Sequence, residues 1–354
     1  TQIPHLEYST INKTVWNNGK GNVNTNTSFG EYALSNNTSG YSNTAFGYFS
    51  GQSNSTLWGN TMIGYNAGAY KFGGWDCTAV GSNALYNSYG VNDTAIGAYT
   101  LMYSGGGANT ALGYSAGRNM TAGGGNVAVG TVALYSNTAG TDNTTIGAAA
   151  MYYNTLGINN TAIGSHALEL GNSDNNVAIG YYALYANTAD YNTGIGTEAL
   201  TSNTTGYSNT GVGAQTLYSN TTGNENTAIG YGALYGYSIG NIGNVNTAVG
   251  VASMTAMSGG SWNSGIGAYT LNNNTSGSYN TANGTFCLDT NTTGNFNTAV
   301  GYASLSDNIV GNYNTALGAG AISNDHDGCI LLGVDATATA DNQFVVGSAS
   351  TNAG

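Results

Sequence analysis

The chain has 354 residues, of which 56 are glycine and 27 are tyrosine, and its formal net charge is −12. Only 6% of the residues are charged and one is proline, which excludes collagen, with its abundant proline, and long coiled coils, with their many charged residues. The four cations, Lys13, Lys20, Lys71 and Arg118, are too few to neutralise a phosphate backbone, so we expect no nucleic-acid partner.

The N-terminal segment, residues 1–22, lacks the pattern that fills the rest of the chain and is predicted to be a cap or a connector. It has no initial Met and no signal-peptide pattern, which suggests a processed or partial product. No apolar run approaches the roughly 20 residues that span a bilayer, so we expect no membrane insertion. Residues 348–354 are predicted to be a C-terminal tail.

Between these ends, residues 23–347 repeat one unit that reads Asn-Thr-Ala-Ile-Gly, two variable residues and Ala-Leu, as in residues 226–234. Its glycine, numbered position 0, recurs twenty times from Gly30 to Gly347. Twelve of the nineteen steps are 17 residues long, four are 16, and the others are 20, 15 and 14. The step of 20 ends at Gly250 and is predicted to contain a bulged loop around residues 238–240.

Each position of the unit has a narrow chemistry. Position −1 is apolar in nineteen of twenty units, with Asn283 as the exception. Position +3 is small, and position +4 is mostly Leu, Met or Ile, except at Gly51, Gly68 and Gly117. Position −4 is Asn in sixteen units, and we predict that these side chains form a ladder in which each amide bonds the next; ordinary turn formation is the alternative. They are Asn26, Asn43, Asn60, Asn109, Asn126, Asn143, Asn160, Asn176, Asn192, Asn209, Asn226, Asn246, Asn263, Asn280, Asn297 and Asn314.

Seventeen residues rich in Asn, Gly and Thr are too few for a helix pair, but they suit two short strands joined by tight turns. We predict one strand at Thr-Ala-Ile-Gly-Tyr and a second at Ala-Leu-Tyr, each pairing with its equivalent in the next coil. The predicted fold is therefore all-β: a parallel β-solenoid, or β-roll, of about twenty coils with a 14–17-residue repeat and one 20-residue coil. With a rise of about 4.8 Å per coil, its length is roughly 95 Å.

The interior of such a coil is predicted to hold one Ile or Val, one Leu and two small residues, which is a thin core. Small residues at alternate strand positions also suggest close contact with a neighbouring chain. We therefore expect a homotrimer, with a monomeric solenoid as the alternative.

The Asn-Thr-Ala-Ile-Gly unit, with its small-Leu pair and Asn-Thr turn, resembles the head repeats of YadA-like trimeric adhesins and the shaft repeats of phage and algal-virus tail fibres. The resemblance covers about residues 26–347 and implies left-handed parallel β-rolls of three chains. The 17-residue unit is longer than that of the adhesins. Residues 341–347 are similar to a fibre segment that precedes a self-cleaving intramolecular chaperone.

The residue types that could carry out catalysis or bind a metal ion are scattered along the sequence. The carboxylates are spread thinly, and Glu198 and Glu225 lie at different repeat positions, so paired-carboxylate hydrolysis is not expected. Residues 324–328, with Asp325 and Asp327, are the only dense run of oxygen ligands; an acidic turn is favoured over a calcium site. Cys77, Cys287 and Cys329 indicate neither a disulfide framework nor a zinc site. We expect no catalytic residues, no cofactor and no enzyme activity.

Tyrosine recurs at positions +1 and +5, which predicts stripes along the solenoid. Exposed tyrosines suit sugar or protein recognition; the alternative is that they cover the sheets or stack between chains. The position +1 candidates for recognition are Tyr48, Tyr65, Tyr114, Tyr181, Tyr231 and Tyr302.

These features predict a non-enzymatic structural fibre or adhesin, extracellular or on a cell or virion surface, that binds a host glycan or protein receptor through repeated loops. One alternative is a filament that polymerises end to end through open terminal coils. Another is an ice-binding solenoid. The placement of the threonines argues against it, because they lie mainly in the Asn-Thr register and in turns rather than in an exposed array two residues wide.

Overall fold

A computed structural model describes residues 16–17, 25–71, 73–237 and 242–347. Within these ranges the protein is all-β and contains no helix. Most of the predicted N-terminal cap, the whole C-terminal tail and the bulge at 238–240 lie outside the described residues. Of the cap, the strand β1 (Trp16–Asn17) pairs antiparallel with the first strand of the repeats.

Every turn of the repeat contributes one three-residue strand, at positions −3 to −1. Residues up to Asp174 and residues from Asn175 onward form two compact units. The strands of the first are β2 (Thr27–Phe29), β3 (Thr44–Phe46), β4 (Thr61–Ile63), β5 (Thr78–Val80), β6 (Thr94–Ile96), β7 (Thr110–Leu112), β8 (Val127–Val129), β9 (Thr144–Ile146) and β10 (Thr161–Ile163). Those of the second are β11 (Val177–Ile179), β12 (Thr193–Ile195), β13 (Thr210–Val212), β14 (Thr227–Ile229), β15 (Thr247–Val249), β16 (Ser264–Ile266), β17 (Thr281–Asn283), β18 (Thr298–Val300), β19 (Thr315–Leu317), β20 (Ile330–Leu332) and β21 (Phe344–Val346).

Within each unit, every strand pairs in parallel with the strand of the next turn, and equivalent positions face one another. In β12 and β13, for example, Thr193 pairs with Thr210 and Ile195 with Val212. The backbone therefore advances by one strand spacing for each repeat. The prediction of an all-β parallel β-solenoid with turns about 17 residues apart is confirmed; the trimer and the left-handed winding remain predictions.

The core contains the expected Leu, but the Ile or Val of position −1 faces outward. In β14 the middle residue, Ala228, is fully buried, whereas Ile229 at position −1 is 42% exposed. Ala233 and Leu234, at positions +3 and +4, are fully buried and complete the interior of that turn. The prediction that the position −1 residue is buried within the chain was wrong, because strand residues alternate between two faces and the narrow interior takes the small residue.

The prediction of a second strand in each turn was also wrong. The Ala-Leu segment forms consecutive turns, and the leucines at position +4 adopt left-handed backbone angles, such as φ of 52° at Leu184 and 55° at Leu200. An extended strand cannot contain these angles. The segment is nevertheless stacked, because the N–H of Leu184 donates to the carbonyl of Ala199 in the next turn at 2.9 Å.

The repeated glycine allows adjacent turns to approach closely. At Gly180, φ is 135°, and a Cβ atom there would lie 2.5 Å from the carbonyl oxygen of Gly196 in the next turn. Only glycine, which has no Cβ atom, can adopt that backbone angle in so little space. Where Gly68 replaces the leucine at position +4, Met62 fills the interior: a Cβ at Gly68 would lie 2.8 Å from the Met62 sulfur.

Candidate recognition surfaces and the ladders beneath them

The position −4 asparagines form a ladder inside the solenoid. Asn209 Oδ1 accepts the backbone N–H of Asn226 at 3.0 Å and its Nδ2 at 3.2 Å. Asn209 Nδ2 donates to Asn192 Oδ1 at 3.2 Å and to the carbonyl of Gly223 at 2.8 Å. Each amide thus links its own turn to both neighbouring turns.

All sixteen asparagines named for this position lie buried, with Asn26 the most exposed at 7%. The same contact, from a backbone N–H to the Oδ1 one turn earlier, recurs along each unit, for example from Asn43 to Asn26 and from Asn297 to Asn280. These side chains satisfy buried polar groups and are not exposed for recognition.

A second asparagine ladder runs at position +7. Asn220 Nδ2 donates to Asn203 Oδ1 at 2.9 Å and to the carbonyl of Gly223 at 2.9 Å. The sequence analysis missed this ladder, although the recurrence of Asn seven residues after the glycine would have revealed it. Its buried members include Asn137, Asn154, Asn187, Asn203, Asn220, Asn274, Asn291 and Asn308.

The outward face of the strands presents two parallel columns. Position −3, mostly threonine, is partly or largely exposed, and position −1, which we call the apolar row, is nowhere buried in the described strands. The most exposed hydrophobic side chains of the apolar row are Ile229 (42%), Leu112 (47%), Ile266 (46%), Leu317 (46%) and Val346 (64%). A long, uncharged sheet face of this kind is uncommon on the surface of a soluble monomer.

The six position +1 tyrosines proposed for recognition lie on the surface. Their exposures are 39% for Tyr48, 53% for Tyr65, 53% for Tyr114, 49% for Tyr181, 59% for Tyr231 and 62% for Tyr302. Where two follow in adjacent turns, their rings stack, as Tyr48 and Tyr65 do with centroids 5.8 Å apart. The other four stand in separate turns, so position +1 does not give a continuous stripe.

The tyrosines at position +5 are more enclosed and pack on one another. Tyr135 and Tyr152 stack with centroids 5.0 Å apart, and Tyr218 and Tyr235 do the same at 5.0 Å. Burial, and then the neighbouring Tyr218, raise the pKa of the Tyr235 hydroxyl. These rings cover the sides of the solenoid.

The most regular aromatic surface lies at position −5, which the sequence analysis did not single out. Trp262, Tyr279, Phe296 and Tyr313, which we call the aromatic strip, stack in four successive turns with interplanar angles of 1–2° and centroids 4.8–6.3 Å apart. Each ring is 46–65% exposed. All four residues have φ between 58° and 62°, a strained region for bulky side chains.

Beside the aromatic strip, small polar side chains at position −6 bond the turns together. Ser278 Oγ accepts the N–H of Ser261 at 3.1 Å, and Asn295 Oδ1 accepts the N–H of Ser278 at 2.9 Å. A second, shorter aromatic stack occupies this position in the first unit, where Tyr41, Trp58 and Trp75 are spaced 5.8 and 5.7 Å apart.

The acidic run near residue 325 caps turns of the backbone. Asp325 Oδ1 accepts the N–H groups of Ile309, Val310 and Gly311 at 2.7–2.9 Å. Burial acts to raise the pKa of Asp325, but these donors outweigh it and lower that pKa. Asp327 Oδ1 likewise accepts the N–H of Asn312 at 2.6 Å. This arrangement fits the acidic-turn alternative.

The other groups considered for chemistry are dispersed. Glu198 Oε2 accepts Gln215 Nε2 at 2.9 Å, and His166 Nδ1 contacts Glu169 Oε2. All three cysteines are free and buried. In the part of the chain that the structure describes, no three His, Cys, Asp or Glu side chains are grouped to hold a metal ion. None of its segments is a helix long and apolar enough to cross a membrane.

No protein-family model matches the chain, and no curated protein is significantly similar to it. Functional inference therefore rests on the surfaces described above.

Proposed function

We propose that the protein is a non-enzymatic structural shaft or head of an extracellular or virion-surface fibre, similar to YadA-like adhesin heads and viral tail-fibre shafts. In this proposal three copies of the chain pack side by side and bind a host surface through residues at the turns. The observation that carries it is the apolar row, which places a hydrophobic side chain on the outward face of every described strand of the repeats except the one that ends at Asn283.

The occupant proposed for the apolar row is a second copy of the same chain. A copy has the same repeat, so equivalent turns within each unit can pack against one another along the row. In the second unit ten of the eleven strands contribute an apolar position −1 residue. Covering a side chain as exposed as Ile229 (42%) or Ile266 (46%) stabilises by on the order of 1 kcal/mol.

The lack of charge on this face also supports packing between copies. Each chain has a net charge of −12, which would repel a second copy if the acids were concentrated at the contact. The outward positions of the described strands carry mostly threonine and apolar residues, and none of them is charged. Three copies, rather than two, are proposed because of the resemblance to trimeric heads and because small residues such as Ala228 allow narrow coils.

The aromatic strip and the position +1 tyrosines are the proposed host contacts. The rings of both sets are exposed, and those of the aromatic strip stack on one another. The tyrosine hydroxyls and the neighbouring Ser and Asn side chains suit a glycan or a polar protein surface. A receptor met by three chains at once gains affinity from multivalency, so individual contacts need not be strong.

Site-directed cross-linking tests this assembly. The native thiols are buried, so a cysteine introduced by Ile229→Cys in the apolar row is the reactive one. We expect mild oxidation to give a disulfide-linked dimer of chains in this variant. The matched control is Ile309→Cys, which replaces an equally exposed residue (48%) outside the strands. Equal cross-linking of the two variants, or none in Ile229→Cys, contradicts packing through the apolar row.

A second candidate function is ice binding, which the threonine column favours. Threonines at position −3, such as Thr193 and Thr210, lie in register on the outward face beside the apolar row. The column is one threonine wide, so the fibre is the stronger proposal. Thermal hysteresis of a protein solution that remains monomeric would favour ice binding instead.

A further inference from the structure

Three consecutive turns in the first unit replace ladder asparagines with ionisable side chains. Lys71 takes position +7 of the second ladder, and Cys77 and Asp93 take position −4 of the first. Asparagine at these places satisfies the backbone without any charge. A buried lysine is costly in comparison, because its ammonium group loses its hydration. The presence of these three side chains in place of asparagine therefore calls for a chemical explanation.

The side chains of Lys71 and Cys77 are in direct contact inside the solenoid. Lys71 is 1% exposed and Cys77 is 2% exposed. Lys71 Nζ lies 3.0 Å from Cys77 Sγ and 3.1 Å from the carbonyl oxygen of Gly90. A Cβ atom at Gly74 would lie 2.8 Å from this Nζ, so the glycine leaves the space that the amine occupies.

Asp93 completes the cluster from the following turn. Its Oδ2 accepts the hydroxyl of Ser104 at 2.8 Å, and its Oδ1 accepts the N–H of Asn109 at 2.9 Å. Burial raises the pKa of this carboxyl, while the hydrogen bonds and the charge of Lys71 act to lower it. The charge interaction between Asp93 and Lys71 offsets part of the cost of burying the amine.

We propose that Lys71 and Cys77 are a modification site at which dioxygen joins Nζ to Sγ through one oxygen atom. In this step one N–H bond, the S–H bond and the O–O bond break, and an N–O and an O–S bond form. The second oxygen atom leaves as water with the two released hydrogens. Dioxygen gains four electrons, two from nitrogen and two from sulfur. A dithiol in excess returns the amine, the thiol and water.

The bridge would tie the two asparagine-ladder positions together across the interior of the solenoid. Dioxygen is small and apolar enough to reach a buried thiol, whereas larger oxidants and alkylating reagents are excluded by the packing. The covalent tie closes a short loop of residues 71–77 in the folded protein, so oxidation locks this region without requiring it to open.

The chain contains its own matched controls. Cys329 occupies the same position −4 as Cys77 and is fully buried, but its Sγ lies 3.4 Å from the carbonyl of Ala340. Cys287 is also fully buried and lies 3.1 Å from the carbonyl of Ala299, and burial raises its pKa to about 12. Among the described residues no lysine amine contacts either thiol, so neither should form the bridge.

Intact-mass spectrometry of the full chain, purified without reductant in air and in parallel under nitrogen, tests the proposal. The aerobic protein should be about 14 Da heavier, the mass of one oxygen less two hydrogens, and excess dithiothreitol should reverse the gain. Fragmentation should assign the added mass to Lys71 and Cys77 together. The variants Lys71→Asn and Cys77→Asn, which restore the residue of the other turns, should lose the gain, and Cys329→Asn should keep it.

Several results would overturn the proposal. They are an unchanged aerobic mass, a gain that persists in Lys71→Asn, and an oxidised Cys77 beside a free Lys71 amine. A loss of about 2 Da instead of the gain would indicate a direct N–S bond and would also contradict an oxygen bridge. Far-UV circular dichroism of the two asparagine variants, matched to the parent, establishes that a lost gain comes from chemistry and not from misfolding.

Discussion

Truncating one rung of the position −4 ladder should strongly destabilise the solenoid. In Asn209→Ala the N–H of Asn226 loses the acceptor that lies 3.0 Å away, and Asn192 and Gly223 each lose a donor. Asn209 is fully buried, so water cannot replace these bonds. An orphaned buried N–H costs about 1–3 kcal/mol and each further bond about 1 kcal/mol, so we expect a loss of roughly 3–5 kcal/mol.

Two measurements check this value. Urea unfolding should show a lower midpoint for Asn209→Ala, and native-state hydrogen exchange should show faster exchange at the Asn226 amide than at amides several turns away. The control is Asn273→Ala, because Asn273 is exposed and its Nδ2 makes one bond, to the carbonyl of Asp289 at 2.8 Å. That variant should lose no more than about 1 kcal/mol. Equal losses in the two variants would refute the reasoning.

Three further changes test other parts of the fold. Gly180→Ala should cost more stability than Gly232→Ala in thermal unfolding, because an added Cβ meets backbone only at Gly180; equal costs would refute the close approach of turns. Leu184→Ala should cost about 2–5 kcal/mol by urea unfolding, and a neutral result would contradict a Leu-filled interior. Burial raises the pKa of Asp307, although N–H donors act to lower it, so its stabilising effect is fully present below its ordinary pKa and is lost as pH rises through the folded value. Asp307→Asn should therefore gain in melting temperature relative to the parent as pH rises from 3 to 7, and a constant difference would contradict this.

The sequence predicted the parts of the fold that depend on repetition. The spacing of the position 0 glycines predicted the turns, and the recurrence of Asn at position −4 singled out sixteen side chains that all lie buried. Such features are readable because the same residue type meets the same surroundings in most of the twenty turns, so a departure such as Asn283 or Cys77 stands out.

The direction of the side chains could not be read in the same way. Ile229 is more hydrophobic than its strand neighbours Thr227 and Ala228, so a prediction from hydrophobicity alone put its side chain in the interior. The interior between strand and turns is too narrow for it, so Ala228 is buried instead and the apolar row faces outward. The left-handed backbone at Leu184 was also missed, because it arises from hydrogen bonding between successive turns and not from any preference of leucine itself.

The candidate recognition surface was predicted only in part. Tyr231 and its equivalents are exposed, but they are scattered among the turns. The more continuous aromatic strip mixes Trp, Tyr and Phe, so a search for one residue type did not find it. Its regularity comes from position in the repeat, which the stacked rings make visible.

The central claim is that the outward apolar row of each chain is covered by further copies of that chain. Sedimentation equilibrium of the unmodified protein at micromolar concentrations tests this most directly. The account predicts one species of about 108 kDa, three times the chain mass of 35.9 kDa. A mass that rises steadily with concentration would indicate end-to-end polymerisation instead, and a stable species of 35.9 kDa would contradict the claim.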